Sequence, residues 1–355
     1  MLYHIPIEPL EERYSAQWYH WFADEYRRQG VEFQYIDGQP LSTKIETGTF
    51  LDVNSTLAYK STQLHEIAKL FYTKQIKDGD VFFVADVEFW GIESIRYLAD
   101  LNGIKDVKIF GFAHAGSYTR EDFFSKCEPY AWRYEQAWGS IFDCIFVGSE
   151  YHAQQLANLR GVLRARIEVT GNPYRVVEVA GSLPHLPQKQ PLILCTNRPD
   201  PEKRPELTLA VFRQLMQQHP DWQFAVTTGR DRWGSGDLRR TAMEMAASEQ
   251  FTIHDGLTKS EYFEILASAA VVTGNTIEEN FGYCILEAMV FNTIPIVENK
   301  YSHPEVVGLD DRCLFDSTDV QIARIEQAIA NPFDVRDYAL RYEVSLPYIV
   351  KLCTR

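Results

Sequence analysis

Two segments carry residue types spaced for chemistry on a diphosphate and a vicinal diol. In Cys195-Thr196-Asn197-Arg198-Pro199-Asp200-Pro201-Glu202-Lys203, an apolar run gives way to two cations five positions apart. Where a buried strand ends and a helix starts, Arg198 and Lys203 can converge on one diphosphate, helped by the helix N-terminus. Taken alone, a solvated loop with an Arg and a Lys explains the pattern equally well. In Glu279-Asn280-Phe281-Gly282-Tyr283-Cys284-Ile285-Leu286-Glu287-Ala288-Met289, two carboxylates are separated by seven residues across a turn that enters an apolar helix. Gly282 permits a backbone close enough for the following amides to face a ligand, and Glu287 can accept hydrogen bonds from the vicinal hydroxyls of a ribose. Either glutamate taken singly reads as a helix-face or N-terminal acid; the pair with Phe281-Gly282 between them is specific.

The elements that must position these residues alternate along the whole chain. Strand patterns at 2–7, 31–36, 81–85, 107–112, 144–147 and 167–170 are separated by helical patterns at 14–28, 56–76, 92–101, 121–142 and 150–159. Residues 180–191, Ala-Gly-Ser-Leu-Pro-His-Leu-Pro-Gln-Lys-Gln-Pro, lack periodicity and read as a linker. A second alternation follows, with strands at 192–195, 223–227, 251–254, 271–273 and 294–297, and helices between them. The fold class is therefore α/β, two Rossmann-like domains in tandem. Their extents are 1–179 for the first domain and 192–334 for the second, with 335–355 a C-terminal helix that can return to the first domain. Ligands of such sheets bind outside the carboxyl ends of the strands, which makes the cleft between domains the expected site.

Composition narrows the function. A length of 355 residues suits two domains of about 150 to 180 residues. No apolar run approaches the roughly 20 residues of a membrane span, and the opening residues are too acidic for a signal peptide, so the expected location is cytoplasmic. Six cysteines without CxxC spacing suggest neither a disulfide framework nor a zinc site. The net charge of -14 is shared by both halves, so DNA or an anionic membrane would need a local basic patch acting against the overall field.

The two segments resemble the GT-B-fold retaining glycosyltransferases of the large bacterial sucrose-synthase-like family. There a strand-end G-R-x-x-x-x-K precedes a helix, and E-G-F-G-x-x-x-x-E-A-M carries the paired glutamates. Thr293-Ile294-Pro295-Ile296-Val297, Pro304-Glu305-Val306-Val307 and Gly171-Asn172-Pro173 extend the likeness over nearly all of residues 165–310. The resemblance implies that Arg198 and Lys203 bind the donor diphosphate and that Glu279 lies beside the donor sugar. It places the amides around Gly282, Tyr283 and Cys284 on sugar hydroxyls and phosphate, and Glu287 on the ribose. His114, in Phe112-Ala113-His114-Ala115-Gly116, matches a histidine that faces the donor sugar. The implied activity is transfer of a hexose or pentose from a nucleotide diphosphate sugar, such as a UDP-sugar, with retention of configuration and with no metal or other cofactor.

Two departures stand out. The family's Gly-Gly loop after the first strand is replaced by Pro6-Ile7-Glu8-Pro9-Leu10-Glu11-Glu12-Arg13, with Arg13 a candidate substitute on the diphosphate, and Thr273-Gly274-Asn275 stands where Pro-Ser is usual. Asp78-Gly79-Asp80 looks like a manganese-holding acidic pair but reads better as a turn. Acceptor-side candidates are Glu8, Arg13, Trp18, Asp86, Glu88 and Trp90. The aromatics of the first half and its Ile5–Glu11 opening are similar to phage-type enzymes that glycosylate hydroxymethylated pyrimidines in DNA, where an extruded base would stack on them. A saccharide, lipid or small-molecule acceptor stays open beside DNA. So do two other classes, a nucleotide-sugar epimerase and a non-catalytic sugar-nucleotide-binding protein. An inverting enzyme would need a base such as Glu8 or Glu11 on the far face.

Overall fold

The computed structural model describes residues 1–10, 14–41, 53–120, 123–228 and 236–355. The chain divides into two compact units, Met1–Tyr174 with Val344–Arg355, and Arg175–Glu343.

In the first unit β1 (Leu2–Ile5), α1 (Tyr14–Arg28), β2 (Phe33–Tyr35), α2 (Val53–Tyr72), β3 (Val81–Val84) and α3 (Ser94–Asn102) alternate. They are followed by β4 (Lys108–Ala113), α4 (Glu128–Ile141), β5 (Cys144–Val147), α5 (Glu150–Arg160) and β6 (Ile167–Val169). The strands form one parallel sheet in the order β2-β1-β3-β4-β5-β6. Its central strands are apolar without alternation because helices cover both faces: Phe82, Phe83 and Val84 are all fully buried. The helical pattern at 121–142 resolves into a 3-10 turn, Phe123–Cys127, and then α4, because Pro129 fits only the first turn of a helix.

The second unit begins with α6 (Val176–Ala180), β7 (Gln190–Cys195), α7 (Pro205–Gln218), β8 (Gln223–Thr228), α8 (Asp237–Met245) and β9 (Phe251–Asp255). It continues through α9 (Lys259–Ser268), β10 (Ala269–Thr273), α10 (Tyr283–Val290), β11 (Ile294–Glu298) and α11 (His303–Val306), and closes with β12 (Leu314–Phe315), α12 (Thr318–Ala330) and α13 (Arg336–Leu340). This sheet is also parallel, in the order β12-β11-β10-β7-β8-β9.

The break between units falls before α6, not within the Pro-rich stretch 180–191. Helix α6 packs on α10 and α13, and the Val177 amide donates to Glu343 at 3.0 Å, which ties it to the second unit. The tail at 335–355 is not one helix. It runs as α13, a 3-10 turn at Arg341–Val344, and α14 (Ser345–Cys353). Helix α14 belongs to the first unit, where it packs on α1 and the Tyr348 hydroxyl donates to Glu168 at 2.6 Å.

Both sheets have a topological switch point, where connections leave neighbouring strands in opposite directions. It lies between β1 and β3 in the first unit and between β7 and β10 in the second. Crevices outside the carboxyl ends of such strands are where open α/β sheets bind ligands.

Candidate active site

At the switch point of the second unit, the segments after β7 and β10 are joined by the residues singled out in the sequence. The chain leaves β7 through Thr196 and Asn197, forms a 3-10 turn at Pro201–Lys203 and enters α7 through Arg204, whose φ of 42° is left-handed. A non-glycine residue in that conformation costs about 1–2 kcal/mol. Arg204 is held there from outside the turn, reaching Glu298 at the end of β11 at 3.5 Å. Gly274, after β10, is where it is because the two segments touch. A Cβ there would stand 2.4 Å from Asn197 Nδ2. This is a steric reason for Thr273-Gly274-Asn275 in place of a bulkier pair.

Lys203 Nζ lies 3.0 Å from Glu279 Oε2 and 3.5 Å from Thr276 Oγ1, with only 12% of its side chain exposed. Burial works against its charge, but Glu279 and Glu202 outweigh burial and hold the ammonium above its ordinary value. Glu279 mirrors this. Burial favours its neutral form, yet Lys203, His303 and the Phe281 amide keep the carboxyl below its ordinary range. Arg198 is oriented by Asp200 at 2.8 Å and Glu202 at 2.7 Å. The result is two cations held by three carboxylates, Asp200, Glu202 and Glu279, before any ligand arrives.

Gly282 precedes α10 with φ 92°, and a Cβ there would meet only ordinary contacts, so it is the backbone angle that calls for glycine. The turn sets the start of α10 at Tyr283, with Cys284 in its first turn, where a helix presents the positive end of its dipole. Glu287 lies one turn further along, its side chain 6% exposed and its Oε1 2.5 Å from Lys259 Nζ. Lys259 also lies over the rings of Tyr262 and Phe263.

The first unit's candidates are distributed differently. His114 follows β4. Its Nε2 lies 2.9 Å from the Ala85 carbonyl, and since a carbonyl only accepts, Nε2 carries the hydrogen. Nδ1 then accepts from the Tyr14 hydroxyl at 3.2 Å. Burial lowers the His114 pKa, with Asp86 opposing, so the ring is neutral with both nitrogens engaged. A sugar hydroxyl would reach either nitrogen only by replacing one of these partners. Trp18 is 2% exposed and packs against Phe112 and the His114 ring. It is a core residue, not an acceptor contact, because it shares with Trp21, Phe22 and Tyr26 the face of α1 that covers the sheet. Glu8 is buried, with Thr56 Oγ1 3.5 Å from its carboxylate. Asp86 pairs with Lys60 at 2.8 Å and accepts from the Glu88 amide at 3.1 Å, while Trp90 is half-buried against Tyr134. Arg13 and Glu11 lie outside the described residues. Asp78-Gly79-Asp80 is a turn: Gly79 has φ 77°, Asp78 accepts from the Lys105 amide, and Asp80 pairs with the N-terminal ammonium at 3.1 Å.

Several partners escaped the sequence reading. Glu202 meets Arg198 locally, four positions along the same segment, while Thr276 and His303 meet the paired ions only because separate strand ends converge, and Lys60 and Tyr14 reach their partners from helices α2 and α1. Lys259 was the most accessible. Thr258-Lys259-Ser260-Glu261 is a capping box, which fixes the start of α9 and therefore puts Lys259 in its first turn. Among the described residues no cluster of three His, Cys, Asp or Glu side chains is placed to hold a metal ion, and no helix is long and apolar enough to cross a membrane.

Two parallel six-stranded Rossmann-like units with a helical C-terminus define the GT-B glycosyltransferase architecture. Residues 184–342 match the family described as "Glycosyl transferases group 1". Solved structures agree on the fold. The lipopolysaccharide outer core galactosyltransferase WaaB is 12% identical with a TM-score of 0.67, over 99% of this chain and 98% of that one. Sucrose-phosphate synthase from Thermosynechococcus elongatus is 14% identical with a TM-score of 0.65, over 98% and 94%. A mutant of S. aureus TarM, in complex with fondaparinux, alpha-GlcNAc-glycerol and UDP, is 16% identical with a TM-score of 0.53 over 85% of this chain, which spans 57% of that one. No curated protein matches at the level of sequence.

Proposed function

We propose that the chain is a retaining glycosyltransferase that takes a hexose or pentose from a nucleotide diphosphate sugar. The observation that carries this reading is the set of charges at the β7/β10 switch point, with Arg198, Lys203 and Glu279 fixed in the segments that lead into α7 and α10. Arg198 and Lys203 offset the charge of the diphosphate, and the Tyr283 and Cys284 amides add donors aimed at an anion. Glu279, ionised, accepts from sugar hydroxyls and faces the positive charge that develops at the anomeric carbon. The acceptor oxygen bonds to that carbon on the face from which the diphosphate leaves, the carbon–phosphate-oxygen bond breaks, and the acceptor proton passes to the departing oxygen. No base on the opposite face and no metal is needed, since the two cations supply the charge a metal would otherwise bring. TarM's complex contains UDP, so UDP-sugars are the first donors to test.

The test is NMR assignment of the product linkage with an α-configured UDP-sugar, with and without EDTA. An α-linked product formed at an unchanged rate in EDTA is expected. A β-linked product overturns retention, and loss of activity restored by manganese overturns metal independence. Conversion of the donor without release of nucleoside diphosphate would instead indicate an epimerase.

The same reading sets a role for Glu287. A ribose contact is made equally in ground and transition states, so Glu287→Ala is expected to raise the donor KM by about tenfold, with kcat within about twofold of wild type. Initial-rate kinetics on the variant decide it, and a kcat defect at unchanged KM would move Glu287 into the chemistry.

A further inference from the structure

The switch point of the first sheet holds a surface that the donor reading leaves unused. After β3 the chain runs through Asp86, Glu88 and Phe89 to Trp90, whose ring lies flat on Tyr134 of α4, with centroids 4.4 Å apart and planes 18° from parallel. Tyr130, one turn earlier on α4 and 60% exposed, stands 6.0 Å from Trp90, and Phe124 6.5 Å. The platform is braced from both sides. The Tyr134 hydroxyl donates to the Phe89 carbonyl, while Lys60 of α2 binds the Asp86 carboxylate and the Glu88 carbonyl and lies over the Phe89 ring. Aromatic rings fixed in this way and left partly in water can stack on a flat ligand without first paying to become ordered.

Charge selects among flat ligands. Burial, followed by Glu93, Glu88 and Asp86, pushes the Tyr134 hydroxyl above its ordinary value, so three carboxylates act on the platform. Lys60 is already committed to Asp86, and the Arg133 guanidinium lies over Trp132 at 4.8 Å. A nucleic acid would bring its phosphates toward those carboxylates in a chain whose net charge is already -14. A sugar has no such penalty. The C–H face of its ring stacks on an aromatic, and its hydroxyls donate to carboxylates.

We propose that Trp90, Tyr130 and Tyr134, together with Asp86 and Glu88, form the binding surface for a neutral saccharide, the acceptor of the transfer. The proposal rests on the glycosyltransferase reading for the word acceptor, but the binding itself can be tested without turnover. Saturation-transfer NMR and titration would be run on the full chain and on the Trp90→Ala and Tyr130→Ala variants. The probes are methyl α-glucopyranoside, lactose and an oligodeoxynucleotide containing 5-hydroxymethylcytosine, with UDP titrated separately. At least one saccharide is expected to bind the wild type and to weaken about tenfold in each variant, the scale set by losing one stacking partner. Both variants should keep the wild-type affinity for UDP, and Tyr130, being exposed, can be removed without opening the core. Saccharide affinity that is equal in all three proteins, no saccharide binding to the wild type, or displacement of the saccharide by the oligonucleotide overturns the proposal. Failure of UDP to bind any of the three counts against the donor reading instead, and the saccharide titration still decides this one.

Discussion

Lys203→Ala is expected to lower kcat by about 10²–10³, or about 3–4 kcal/mol, the scale for removing one preorganised stabiliser of developing charge. The structure makes Lys203 the more demanding of the two cations. Its ammonium is nearly buried, yet it is held charged by Glu279 at 3.0 Å and by Glu202. A cation in that setting is weakly screened by solvent, so its interaction with a leaving phosphate is stronger than that of a surface lysine. It also moves little when the diphosphate arrives, because Thr276 and Glu279 already fix its position. Arg198→Ala is expected to fall in the same range with a smaller loss, since Arg198 is 32% exposed and water can partly take its place. The measurement is nucleoside diphosphate release under saturating donor, at a temperature where the variants remain folded by circular dichroism. Wild-type kcat in Lys203→Ala would show that the diphosphate binds elsewhere.

Much of this site was legible in the sequence, and for a physical reason. A parallel sheet covered on both faces forces short, continuously apolar strands, so strand ends such as Cys195 and Thr273 can be read from where the apolar run stops. Residues just beyond a strand end then fall on the ligand edge of the sheet whatever the rest of the fold does. That logic places Arg198 and Lys203 beyond β7 and Asp86 beyond β3, whereas Glu279 stood out by its spacing from Glu287 and His114 by the resemblance. It failed for Trp18, where residue type was weighed above position. The spacing of Trp18, Trp21, Phe22 and Tyr26 already described one buried helix face, and all four are core residues. It could not find Tyr14 beside His114, one hundred positions away, because that contact exists only once α1 lies across the sheet. The engagement of both His114 nitrogens was likewise beyond reach, since it depends on a carbonyl at Ala85 and a hydroxyl on another element.

Glu279→Gln is expected to lower kcat by about 10² while changing the donor KM by less than about threefold, because the charge of Glu279 matters most when the anomeric carbon becomes positive. Glutamine keeps the size of the side chain and one acceptor oxygen, so ground-state hydrogen bonding to the sugar is largely preserved. What it loses is the negative charge. The pH dependence gives an independent check. In the wild type, burial raises the Glu279 pKa, but Lys203 leads the groups that bring it below its ordinary value, so Glu279 stays ionised as pH falls through the usual carboxylate range. Activity that depends on the ionised form is therefore present above that range and is lost only when pH falls through the depressed folded value. In Lys203→Ala the leading opposing charge is gone and burial remains, so the acid limb of kcat should move to higher pH. In Glu279→Gln that limb should disappear, leaving a low kcat that no longer responds to acid. A defect in KM alone, or an acid limb unchanged in both variants, would show that the Glu279 carboxylate orders the loop before α10 by accepting from the Phe281 amide and takes no part at the reacting carbon.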